Sequence, residues 1–293
     1  MKRIGSIIVL VLFSSILACV PANKKVRIAS GNVDLLTYPS VYTEKMESTP
    51  DMTQTDTEAN LPGGGNQYCA PVAVSNSFMW LADRGFDNLV KNLTARKEAQ
   101  AEVARILGTW RYMGTSLENG TGTTKLTNGV SRYIEHRGYQ YRRLEYQGWR
   151  KHPGRFRTGV AVPELGWIKN GLIGNSAVWL NIGWYEYNPS TDQYRRIGGH
   201  WVTLVGFGVG QNGKEDPNIL IVHDPAPRAG QKPSHEFVRV ERISSGELTG
   251  KNSGLPRSAV GYYKLTDGMH MRKNADFAIL DGVVVLQMQE LAE

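Results

Sequence analysis

"GGGNQYCAPVAVSNSFMWLADRG", residues 63–85, runs from a glycine-rich stretch into a dense apolar segment, with Cys69 at the junction. Val72, Val74, Phe78, Met79 and Leu81 lie close enough together to predict a buried helix from Pro71 to Asp83, ended by Gly85. Proline is at home in the first turn, because its missing N–H has no partner there anyway. Cys69 therefore falls just before the start of a helix. The free N–H groups and positive dipole end at that place favour thiolate over thiol. The same N–H groups can stabilise an oxyanion formed when the sulfur attacks a carbonyl.

Whether the thiol is spare depends on the other end of the chain. The 293 residues contain two cysteines, Cys19 and Cys69. The start, MKRIGSIIVLVLFSSILAC, has Lys2 and Arg3, an apolar stretch from Ile7 to Leu17, and Ala18 before Cys19. These are the parts of a secretory signal, expected over residues 1–18. The ILAC ending resembles the lipobox of bacterial lipoproteins, which implies lipidation of Cys19 and a place at the cell envelope. Cys69 then has no partner in the chain. An odd cysteine in an exported protein points to intermolecular pairing or a working thiol; a buried small hydrophobe is the plainer reading.

Residues 19–60 read as a flexible tether. Residues 46–65, MESTPDMTQTDTEANLPGGG, lack apolar periodicity and can bury little. The preceding KKVRIASGNVDLLTYPSVYTEK has enough apolar residues to pack on the domain. Residues 61–293 form the expected domain. Further helices are predicted over Leu93–Met113, with Trp110 on the apolar side, over Thr127–Arg137, and after Pro163. Residues 175–188 and 193–208 flank PSTD and predict a hairpin. NILIVHDPA, HEFVRVERI, SAVGYYKL and FAILDGVVVLQM continue as strands. Helices first and an antiparallel sheet second is an α+β order.

A nucleophilic cysteine needs a base. Of the six histidines, His200 alone follows two glycines at the head of a strongly apolar strand. Asp224 ends the next apolar strand, and if the two strands pair, its carboxylate lies near the imidazole. An ordinary Asp-Pro turn is the competing reading. His223 should face the other way, because strand side chains alternate.

Cys69-Ala70-Pro71, then Gly199-His200-Trp201 with Val205-Gly206-Phe207, then Asp224-Pro225, resembles in order the papain-like cysteine peptidases. The resemblance is to the branch of bacteriocin-leader-processing endopeptidases and covers roughly residues 60 to 230. It implies a papain-like α+β fold, with Cys69 as nucleophile, His200 as base and acid, and Asp224 as orienter. It also implies a peptide or protein substrate, no cofactor and no metal. Ala70 stands where the family has glycine. The family's oxyanion glutamine lies several residues before the cysteine, whereas Gln67 lies two before it; Asn66 or backbone N–H groups are the alternatives. The same triad serves transamidases and cell-wall amidases, and a binding module with a relict triad would keep the same residues.

The formal charge of +7 suits anionic surfaces without implying nucleic acid. Residues 139–157 interleave aromatics with Arg142, Arg143, Arg150, Lys151, Arg155 and Arg157, a composition that binds anionic polymers but more often marks a solvated strand edge and loop. GVGQNG, residues 208–213, lacks the Lys-Ser/Thr ending of a phosphate loop. His200, His223, Asp224 and His235 match no compact metal-ligand spacing.

Overall fold

The computed structural model describes residues 38–227, 235–250 and 256–290. The expected signal segment, Cys19 and the first part of the expected tether lie outside these residues. Four α-helices come first along the chain, interrupted by one strand, and a large sheet follows, so the architecture is α+β. Helix α1 spans Cys69–Ala82, α2 Arg96–Gly108, α3 Thr123–His136 and α4 Leu165–Leu172. Strand β1 is Tyr141–Gly148, β2 Ser176–Asn188, β3 Gln193–Val209 and β4 Glu215–His223. The rest are β5 Glu236–Arg242, β6 Glu247–Gly250, β7 Arg257–Ser258, β8 Tyr263–Thr266 and β9 Phe277–Met288.

The long β2–β3 hairpin organises the sheet. β2 pairs with both β3 and β9, β3 with β4, β4 with β5, β5 with β8, and β8 with β9. These antiparallel pairings close into a ring, in which the middle of β3 has no strand partner on its β4 side among the described residues. β1 adds to β9 outside it, and β6 runs parallel to the start of β3.

Side-chain alternation along β2 and β3 sorts two cores. Val178, Leu180, Ile182, Val202 and Leu204 pack with Ile168 and Leu172 of α4. Trp179 and Trp201 turn to the other face and pack with Ala70, Ala73, Val74 and Phe78 of α1. Every α1 residue from Ala70 to Ala82 is buried, as expected of a helix that is apolar all round. Burying each large apolar side chain contributes about 1.5–3 kcal/mol.

Two expectations fail. α2 ends at Gly108, and Trp110 lies beyond it, 87% exposed. A Cβ at Gly108 would collide with the Tyr68 ring, and the chain turns extended at Thr109. Residues 46–60 are not a tether, because they pack along the domain; residues 38–45 pack there too, as their apolar content predicts. Tyr42 bridges to Phe207, and Met52, Ala59 and Leu61 fill a small core with Tyr68 and Val72. Their polarity is absorbed by hydrogen bonds rather than by water. The Lys45 ammonium is buried, donates to Gly174 O, Ser176 O and Ser176 Oγ at 2.7–3.0 Å, and lies 4.0 Å from the Trp80 ring centre. Burial pulls the Lys45 ammonium well below its ordinary pKa.

Lys45→Ala removes the buried donor to Ser176 O and Ser176 Oγ. It should cost about 2 kcal/mol of stability and make residues 38–60 the first to be cut in limited proteolysis.

Candidate active site

The glycine run is a device for close approach. Gly63, Gly64 and Gly65 all take positive φ, and a Cβ at Gly65 would collide with the Gln54 carbonyl. The Gln54 side-chain amide donates to Gly65 O and Asn66 O, each at 2.9 Å. The Gln54 backbone N–H donates to Pro225 O at 2.8 Å. One residue thus ties the loop before Cys69 to the loop after Asp224. No sequence signal marked Gln54, since it lies in a polar stretch without periodicity.

α1 begins at Cys69, and no side chain caps it. Pro71 has no N–H, so Cys69 and Ala70 supply the first-turn donors. The helix is pinned one turn further on. Ala73 O accepts from Thr203 Oγ1 at 2.8 Å and from Trp179 Nε1 at 3.2 Å. This fixes a position four residues past Cys69 against one three residues past His200.

β4 ends at His223, opposite Thr203. Residues 200–202 of β3 pair with β2 on one side but, among the described residues, have no strand partner on the other. That open stretch is where the three predicted residues meet. His200 Nε2 and Asp224 Oδ1 are 2.5 Å apart, and both groups are buried. Ala226 N–H donates to the same carboxylate oxygen at 2.8 Å. Cys69, a half-buried free thiol, is the other side chain close enough to act on the charge of the imidazole. With Nε2 taken by Asp224, Nδ1 is the nitrogen left for the sulfur. The Trp184 ring stacks on the imidazole at 5.8 Å between centres and screens it from water.

Burial opposes charge on His200, but Asp224 and then Cys69 outweigh it and push its pKa up to about 10. Burial raises the Asp224 carboxyl, and His200 more than offsets this, leaving it below its ordinary value. The site is therefore built to hold an imidazolium between a carboxylate and a sulfur.

Gln67 is half-buried, and its Oε1 lies beside Gly120. His223 faces away from His200, as alternation requires. Its Nε2 lies 2.8 Å from His235 Nδ1 and its Nδ1 3.2 Å from Pro50 O. No cluster of three or more potential metal ligands occurs among the described residues. A cavity of about 830 Å³ opens on the Asp224 side, lined in part by Asp224, His235, Glu236, Arg239 and His270. Cys69 and His200 are not in its lining, so it is not where a carbonyl would meet the sulfur. Arg150 belongs to a buried polar group on β9, while Arg142 is exposed on the outer strand β1.

No protein-family model matches the chain, and no curated protein matches it.

The pair imposes a pH signature. His200 has its pKa raised from about 6.5, so its contribution to stability is complete below that value and is lost as pH rises through about 10. Asp224 is lowered, so its contribution is present above about 3.9 and lost as pH falls. In denaturant titrations, the stability gap between wild type and Asp224→Asn should be widest near pH 5–6 and shrink towards pH 10. Thr203→Val, nearly isosteric, should cost about 1 kcal/mol, read as a lower midpoint in a melting curve.

Proposed function

We propose that this protein is a papain-like cysteine peptidase of the cell envelope that hydrolyses peptide bonds through an acyl-enzyme. One observation supports the reading above the rest. The only thiol among the described residues sits at an uncapped helix start, near an imidazole that is hydrogen-bonded to a buried carboxylate.

The chemistry follows from that order of groups. The Cys69 sulfur, its proton held on His200, attacks the carbonyl carbon and drives the C=O electron pair onto oxygen. The Cys69 and Ala70 N–H groups face the developing oxyanion, with Gln67 a second candidate donor. Collapse of the tetrahedral species expels the amine, which takes the proton from His200. The neutral imidazole then removes a proton from water, which attacks the thioester and releases the acid. Asp224 keeps Nε2 occupied so that Nδ1 serves the sulfur throughout. Cys19, following the signal-like start, would carry the lipid that holds the enzyme at the membrane; a diacylglyceryl mass on a mature N-terminal Cys19 is the expected result of mass spectrometry.

A second reading keeps the acyl-enzyme and changes its acceptor, making the protein a transamidase or a cell-wall amidase. The same triad favours it equally, and product analysis on peptides with and without added amine separates the two.

On a peptide substrate, Cys69→Ala should abolish turnover, and His200→Ala should lower kcat/KM by about 10²–10⁴. Iodoacetamide should label Cys69 rapidly at pH 6 in wild type and slowly in His200→Ala. Equal labelling rates in the two proteins would leave only a binding module with a relict triad.

A further inference from the structure

The glycines before His200 do more than make room for an imidazole. Gly199 is exposed and Gly198 partly so. A Cβ at Gly199 would collide with Arg196 Nη2, and one at Gly198 with Arg272 Nη1. Two guanidiniums therefore flank the backbone directly before the imidazole, one on each side.

Arg196 reaches this place from a buried anchor. Its Nε bonds Asp281 Oδ2 at 2.6 Å, and its side chain is 12% exposed against 0% for Asp281. The other Asp281 oxygen is fully engaged, accepting from Trp149 Nε1 at 3.0 Å and Tyr185 O–H at 2.5 Å. The terminal nitrogens of Arg196 make no hydrogen bond among the described residues, and neither is sealed from solvent. Behind them lies Arg150, stacked on Trp149, with Nη1 buried and without a partner. Asp281 is the one carboxylate acting on both guanidiniums, and each carries a full positive charge. One buried anion for two cations leaves a positive charge unbalanced beside the strand that carries His200. A buried charge without a counter-charge is costly unless something supplies one.

We propose that Arg196, backed by Arg150 and faced by Arg272 across Gly198–Gly199, forms a subsite for a carboxylate on the substrate, close to the scissile bond. The planar guanidinium edge, with Nε fixed on Asp281, presents its two terminal nitrogens to one anion. The substrate class is then a peptide bearing an acidic side chain, or a free terminal carboxylate, next to the bond that is cut. This rests on the peptidase reading for its chemistry but not for its binding.

The test uses matched peptides that differ by one carboxylate: Glu against Gln at each position flanking the cut, and a free C-terminus against its amide. Full-length wild type should favour one carboxylate peptide by about tenfold or more in kcat/KM; which pair shows the preference identifies side chain or terminus. The preference should collapse towards one in Arg196→Gln/Asp281→Asn, a double substitution that removes the cation and its buried anion together. Arg272→Gln, at an exposed position, should narrow it by a smaller factor. In parallel, calorimetry with Cys69→Ala protein should give tighter binding of the same carboxylate peptide, weakened by salt. Cleavage with no preference in any pair overturns the subsite and leaves the peptidase standing. Selective binding without cleavage by wild type overturns the peptidase and leaves the subsite standing.

Discussion

A single backbone carbonyl joins the helix that carries Cys69 to the hairpin that carries His200, and so fixes the distance on which the candidate site depends. Ala73 O receives both Thr203 Oγ1 and Trp179 Nε1, so α1 is held to the β2–β3 hairpin one turn beyond its first residue. Helix rise and strand rise are fixed quantities, about 1.5 and 3.3 Å per residue. Once these two points are joined, neither Cys69 nor His200 can drift without breaking a buried hydrogen bond. The apolar packing of Trp179, Trp201 and Phe78 around the contact excludes water that would otherwise compete for the carbonyl.

Around that fixed distance the site is left open by subtraction. β4 stops opposite Thr203, and among the described residues no strand lies on that side of residues 200–202, where a helix end and a loop carboxylate come to one imidazole. The loops that deliver them are laced together by Gln54, which touches the chain before Cys69 and after Asp224. The candidate site and the fold therefore share their supports: the segment 38–60 is at once a clamp on the site and part of the core.

The sequence revealed those parts whose physics is local. Pro71 and the apolar density after it marked α1, although the helix starts at Cys69 itself. The PSTD turn between two apolar runs marked the β2–β3 hairpin, and the whole of β9 was visible as FAILDGVVVLQM. Cys69, His200 and Asp224 stood out because each lies at the end of a strong apolar element. What escaped is non-local. Nothing in a polar stretch such as TPDMTQT announces that Lys45 and Gln54 will find carbonyls more than ten residues away or across the fold. Trp110 carried the right spacing for α2 but lies past a glycine whose close contact with Tyr68 ends the helix. Asp281, a carboxylate inside an apolar run, went unmarked; its partners Arg196 and Trp149 come from strands and loops that periodicity does not join.

The basic, aromatic stretch before α4 divides by position. Its inner members join the Asp281 group, while β1 borders the sheet outside the closed ring, paired only to β9 along most of its length. Such a margin is where a second molecule could zip on and seed a fibril. Arg142 points outward there and Arg143 is matched to Glu145. Two neighbouring β1 strands would bring the Arg142 of each close together, a like-charge contact that disfavours pairing at this border.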